Sequence, residues 1–130
     1  MKIETTKHGS GKHAYTSISW DSVDKKVEIE FSVLARCCYS KKMNKVFASL
    51  YQERQVYLYD HDGNLYTKLP IPIKNGYQYM GLNANEKSST GIALLYAPIK
   101  SQYGNEWGEY EQYELLQSED SLGRFIDIYR

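Results

Sequence analysis

The stretch from Val46 to Pro72, VFASLYQERQVYLYDHDGNLYTKLPIP, restricts the folds open to this chain more than any other part of it. Val46 to Tyr51 carries apolar side chains at successive positions, so both faces of an extended segment there are apolar, as in a strand covered on both sides. Gln52 to Gln55 turns the chain, and Val56 to Asp60 returns it with Val56 and Leu58 on one side and Tyr57 and Tyr59 on the other. His61 to Asn64 forms the next turn, because Asp and Gly tolerate the positive φ that a tight hairpin needs. Leu65 to Leu69 pairs back, and Pro70 and Pro72 end the sheet by removing backbone donors. The stretch is therefore an antiparallel meander.

The flanks repeat the scheme. His13 to Trp20 alternates, with Thr16, Ile18 and Trp20 on one face. In Lys26 to Leu34, Val27, Ile29, Phe31 and Val33 point one way while Lys26, Glu28, Glu30 and Ser32 point the other. Tyr77 to Asn83, Gly91 to Ala97, Glu109 to Leu116 and Arg124 to Tyr129 add further strands, separated by polar or glycine-bearing turns. The expectation is a single all-β domain over residues 1–130, an antiparallel meander of about nine strands, with residues 1–12 as a loosely ordered arm. One segment stays open: Trp107, Tyr110, Tyr113 and Leu116 are spaced by three, so 105–116 fits a helix face as well as a strand.

The chain has 130 residues, enough to bury a core without a metal or disulfide. Its 13 tyrosines stand against three phenylalanines and two tryptophans, an excess that suits half-buried sheets and contact surfaces. Net charge is zero, but residues 1–100 carry 14 Lys or Arg against 9 Asp or Glu, while residues 101–130 carry 2 against 7. Without an overall basic excess or an aromatic nucleic-acid motif, direct nucleic-acid binding is not expected. Cys37 and Cys38 are adjacent and point to opposite faces of an extended chain, which disfavours a bond between them and suits a reducing compartment. The opening MKIETTKHGSGKH has no apolar core of a leader, and no apolar run is long enough to span a bilayer, so the chain reads as cytoplasmic, with no membrane partner.

The motif-like fragments fail when matched to the chemistry they suggest. Asp60-His61-Asp62-Gly63-Asn64 opens like a calcium loop, but Leu65 stands where the loop needs glycine and Ile71 where it needs a bidentate glutamate. Gly9-Ser10-Gly11-Lys12 lacks the first glycine and the hydroxyl residue of a phosphate loop. His8, Lys12, His13 and His61 have the residue types of general acid–base work, without a spacing that sets two of them across a substrate. The histidines lack the spacing of zinc ligands, and neither cysteine sits beside a base. No catalytic residue, metal or cofactor is expected.

What remains is a surface. Tyr103, Glu106, Trp107, Glu109, Tyr110, Glu111, Tyr113 and Glu114 interleave rings with carboxylates. Aromatic residues are enriched at interface centres and acidic charge steers a basic partner, so this stretch is the candidate docking face. An ordinary amphipathic element, rings in and carboxylates out, accounts for the same pattern.

Two resemblances add to this reading. The hairpins and closing Leu69-Pro70-Ile71-Pro72 of Val46 to Pro72 resemble a β-propeller blade of the NHL or WD-repeat kind. The chain is too short for a closed ring, so the resemblance implies a partial, half-propeller-like ring or a β-sandwich. As a whole, a small, tyrosine-rich, all-β chain without active-site signatures resembles the bacterial immunity proteins of contact-dependent growth inhibition and related polymorphic toxin systems. That profile implies a stoichiometric inhibitor that caps the active site of one cognate toxin domain, often a basic nuclease. The alternative is a small-ligand or carbohydrate-binding β module, with Trp20, Trp107 and tyrosines as a stacking platform.

Overall fold

A computed structural model describes residues 1–99, 110–116 and 122–129. The described chain is all-β apart from one 3-10 turn, Gly11–His13. Among the described residues eleven strands form three antiparallel sheets. The first holds β1 (Glu4–His8), β2 (Tyr15–Asp21) and β3 (Lys26–Glu30) in that order. The second holds β4 (Ala35–Ser40), β5 (Lys45–Leu50), β6 (Gln55–Tyr59) and β7 (Leu65–Pro70), also in order. The third holds β8 (Tyr77–Ala84), β9 (Ile92–Pro98), β10 (Tyr110–Glu114) and β11 (Phe125–Tyr129).

The second sheet lies in the middle and is covered on both faces. On β5, Val46 and Ala48 join Ile18, Trp20, Val27 and Phe31 of the first sheet and its exit in one core. Phe47, between them, points the other way and joins Val56, Leu58, Leu69 and Ile71 against Leu82, Ile92, Leu94 and Tyr96 of the third sheet. The run of apolar residues that lacks alternation in sequence is thus the strand with no wet face. Adjacent Cys37 and Cys38 follow the same rule, one packing toward each core, both as free thiols. Successive meanders packed face to face are the arrangement of a partial propeller or of sandwiched sheets, and none of the three closes on itself.

Two strands, β1 and β4, are additional to the sequence expectation, and β3 is shorter than expected. Residues 4–8 are not a loose arm but the edge strand β1, in register with β2 from Glu4 opposite Ser19 to His8 opposite Tyr15. Its polar residues are largely exposed, so backbone pairing holds it and no apolar period announces it. The long strand expected over Lys26 to Leu34 ends at Glu30, where the chain crosses to the second sheet. Thr16 fixes the crossing. Its carbonyl accepts from Phe31 N–H at 2.9 Å, its N–H donates to the Val33 carbonyl at 3.2 Å, and its hydroxyl accepts from Ala35 N–H at 3.0 Å.

The DHDGN turn is structural. Asp60 Oδ1 accepts the Asp62 and Asn64 amides at 3.0 Å each, and these bonds, Asn64 first, hold its carboxyl below the usual carboxylate range. The turn docks on the first sheet through Trp20 Nε1, which donates to the His61 carbonyl at 2.8 Å.

Candidate functional site

The second and third sheets part at one end of the stack. There β4 begins, β5 turns into β6, β8 begins and β9 ends, and between them lies a cleft of about 1200 Å3. Its wall is aromatic. The Tyr79 hydroxyl donates to Ser49 Oγ at 2.8 Å, the Tyr96 hydroxyl to the Pro72 carbonyl at 2.6 Å, and the two rings meet edge to face at 5.8 Å. Burial pushes the Tyr96 phenol up to about 12 and that of Tyr79 higher still, so both are neutral donors throughout the physiological range.

The rim is apolar and exposed. Tyr51, Ile73, Met80 and Ile99 retain 63, 76, 40 and 60% of their accessible surface, and all four line the cleft. Local geometry explains two of them. Met80 is the extra residue of a β-bulge: Tyr79 pairs with Tyr96 and Gly81 with Leu95, leaving Met80 without an opposite residue. Gly81 takes φ +135°, and a Cβ there would lie 3.4 Å from the Arg36 side chain. Tyr51 opens a turn in which Gln52 holds a left-handed φ of 65° and Glu53 N–H donates to the Leu50 carbonyl at 3.1 Å.

Three cations share the cleft with one carboxylate, that of Glu53, among the described lining residues. Arg36 Nε donates to the Leu82 carbonyl at 2.7 Å. Arg54 donates to the carbonyls of Ile71 and Pro72 at 3.2 Å each. Lys74 Nζ sits 4.4 Å from the Tyr77 ring centroid and 5.0 Å from that of Tyr113.

The stretch expected to dock a partner is only partly described: Tyr103, Glu106, Trp107 and Glu109 lie outside the described residues. Tyr110, Glu111, Tyr113 and Glu114 all fall on β10, a strand and not a helix over 110–114. Tyr113 is buried, edge to face with Tyr96 at 5.8 Å and with Phe125 at 5.6 Å. Tyr110 stacks on Tyr129 at 6.2 Å. Glu111 accepts from Tyr77 at 2.9 Å and also from the Tyr113 hydroxyl. Glu114 accepts the Ser89 amide at 2.5 Å and pairs with Arg124 at 3.7 Å. These four residues therefore do structural work within the third sheet. Sequence reasoning missed the cleft, although apolar residues at turn positions, Tyr51 beside QER and Ile73 beyond Pro72, were its visible sign.

The histidines are dispersed. His8 Nε2 lies 2.7 Å from Ser17 Oγ with its ring stacked on Tyr15 at 4.7 Å, on the outer face of the first sheet beside Glu4, Glu28 and Glu30. His61 Nδ1 lies 3.1 Å from Ser22 Oγ in the DHDGN turn. Among the described residues no group of three His, Cys, Asp or Glu is placed to hold a metal ion, and no helix is long and apolar enough to cross a membrane. Comparison of the chain with family models, curated proteins and solved structures gives no match.

Proposed function

We propose that the protein is an immunity-type inhibitor, which binds one cognate bacterial toxin domain stoichiometrically and blocks its active site, and that the cleft between the second and third sheets receives part of that domain. The observation that carries this reading is the gathering of four exposed apolar side chains, Tyr51, Ile73, Met80 and Ile99, on one rim. Clustered exposed apolar surface with a polar surround marks a protein contact. The free thiols of Cys37 and Cys38 fit a cytoplasmic setting, where a nuclease toxin would find its nucleic-acid substrate. On this reading the partner is protein, with neither nucleic acid nor membrane bound directly.

A small-ligand or carbohydrate module is the second reading, favoured by the exposed Tyr51 ring beside the concave tyrosine wall. The cleft volume, about 1200 Å3, lies above the range of roughly 300–1,000 Å3 usual for a small-molecule pocket, which suits a protein segment better. The test is co-expression with each candidate toxin domain encoded beside this chain. A one-to-one complex and restored growth are expected, with Ile73→Asp weakening binding by roughly ten- to a hundredfold, as for the loss of an interface anchor. Absence of a complex, or an Ile73→Asp variant that binds as the parent does, would contradict the proposal.

A further inference from the structure

We infer that the segment received by the cleft is acidic, carrying carboxylates on either side of an apolar side chain; the inference rests on the inhibitor reading of the cleft. Arg36, Arg54 and Lys74 face one lining carboxylate, and among the described residues none of the three cations forms a salt bridge. The opposing Glu53 carboxylate is next to the Tyr57 hydroxyl, whose pKa it pushes up.

The cations are also held in place before any partner arrives. Arg36 spends Nε on the Leu82 carbonyl, and among the described residues both terminal nitrogens are left for a bidentate carboxylate. Arg54 is pinned by the Ile71 and Pro72 carbonyls through one terminal nitrogen. Lys74 rests over two rings. Fixing these side chains beforehand lowers the entropy lost on binding. Between them the apolar rim offers a seat for one aromatic or aliphatic side chain, which a free anion would not use.

A nucleic acid would need a longer basic track and free ring faces. The hydroxyls of Tyr77, Tyr79 and Tyr96 are all engaged internally, so their rings are fixed as wall. On the rim only Tyr51 offers an exposed ring, Ile73, Met80 and Ile99 give no stacking surface, and the far sheet presents Glu4, Glu28 and Glu30. A toxin domain that is acidic at its working site matches this pattern, because carboxylates commonly act there as bases or metal ligands.

The probes are three dye-labelled ligands read by fluorescence anisotropy: a short peptide of Glu and Asp around one Trp, its Lys and Arg counterpart, and oligouridine. The acidic peptide is expected to bind at least about tenfold tighter than either, as charge complementarity allows. Arg36→Gln, which keeps a donor for the Leu82 carbonyl, and Lys74→Gln should each weaken it about three- to tenfold. Equal or tighter binding of the basic peptide or of oligouridine, no binding of the acidic peptide, or indifference to both variants would overturn the inference. A toxin complex lost in Ile73→Asp but untouched by the Arg36→Gln, Lys74→Gln double variant would overturn the acidic segment and leave the inhibitor reading standing. Selective acidic-peptide binding without any toxin complex would overturn the inhibitor reading instead.

Discussion

At Gly63 a single missing Cβ joins two sheets. The residue has φ +90°, and a methyl group built there would come within 2.5 Å of Val27 Cγ1 on β3. The turn can press against the first sheet only because its third residue tolerates the left-handed region and occupies almost no space. Gly63→Ala should therefore destabilise the fold by about 1–3 kcal/mol, through backbone strain and overpacking together. Chemical denaturation reads this directly, and an unchanged midpoint would mean that the turn does not carry the contact. The turn itself was legible in Asp62-Gly63. Its seat was not, because Trp20 and Val27 are more than 35 residues away in sequence and nothing local reports which turn a core residue will meet.

Elements with a regular apolar period or an unbroken apolar run were legible, and those with neither were not. β5, apolar at successive positions, lies between two layers as its composition requires. β4 carries two half-buried cysteines on opposite faces, and β1 is almost wholly exposed, so neither shows an alternation. On β10 the neighbours Gln112 and Tyr113 are both buried, so the strand shows no alternation, and the three-residue spacing of Tyr110, Tyr113 and Leu116 fits a helix as well. The third sheet also makes a pH prediction. Tyr79, Tyr96, Tyr113 and Phe125 run edge to face across β8, β9, β10 and β11. Burial is the largest cause that raises the phenol pKa of all three tyrosines, to about 12 for Tyr96. An unfolded tyrosine ionises near pH ~10. The fold keeps the proton where the unfolded chain loses it, so this contribution to stability is complete below about pH 10 and disappears as pH rises through the folded values. Phenolate absorbance should show these rings ionising only with cooperative unfolding above pH ~11. Smooth ionisation of all 13 tyrosines near pH ~10, with the fold intact, would contradict the packing.

Across the whole molecule, the layered fold was readable from turns and apolar periods, whereas the candidate site arises where the ends of five strands meet. Arg36, Arg54 and Lys74 are 18 and 20 residues apart along the chain and converge only because successive meanders stack with their ends aligned. The acidic stretch that stood out in sequence drew attention by composition, yet its described carboxylates close hydrogen bonds within the third sheet. The central claim is that the partner enters between the second and third sheets. Hydrogen–deuterium exchange on the toxin complex tests it most directly. New protection is predicted at 51–54, 73–81 and 96–99, with the exchange of β1 and β3 unchanged; protection confined to the first sheet or to β10 and β11 would contradict the account.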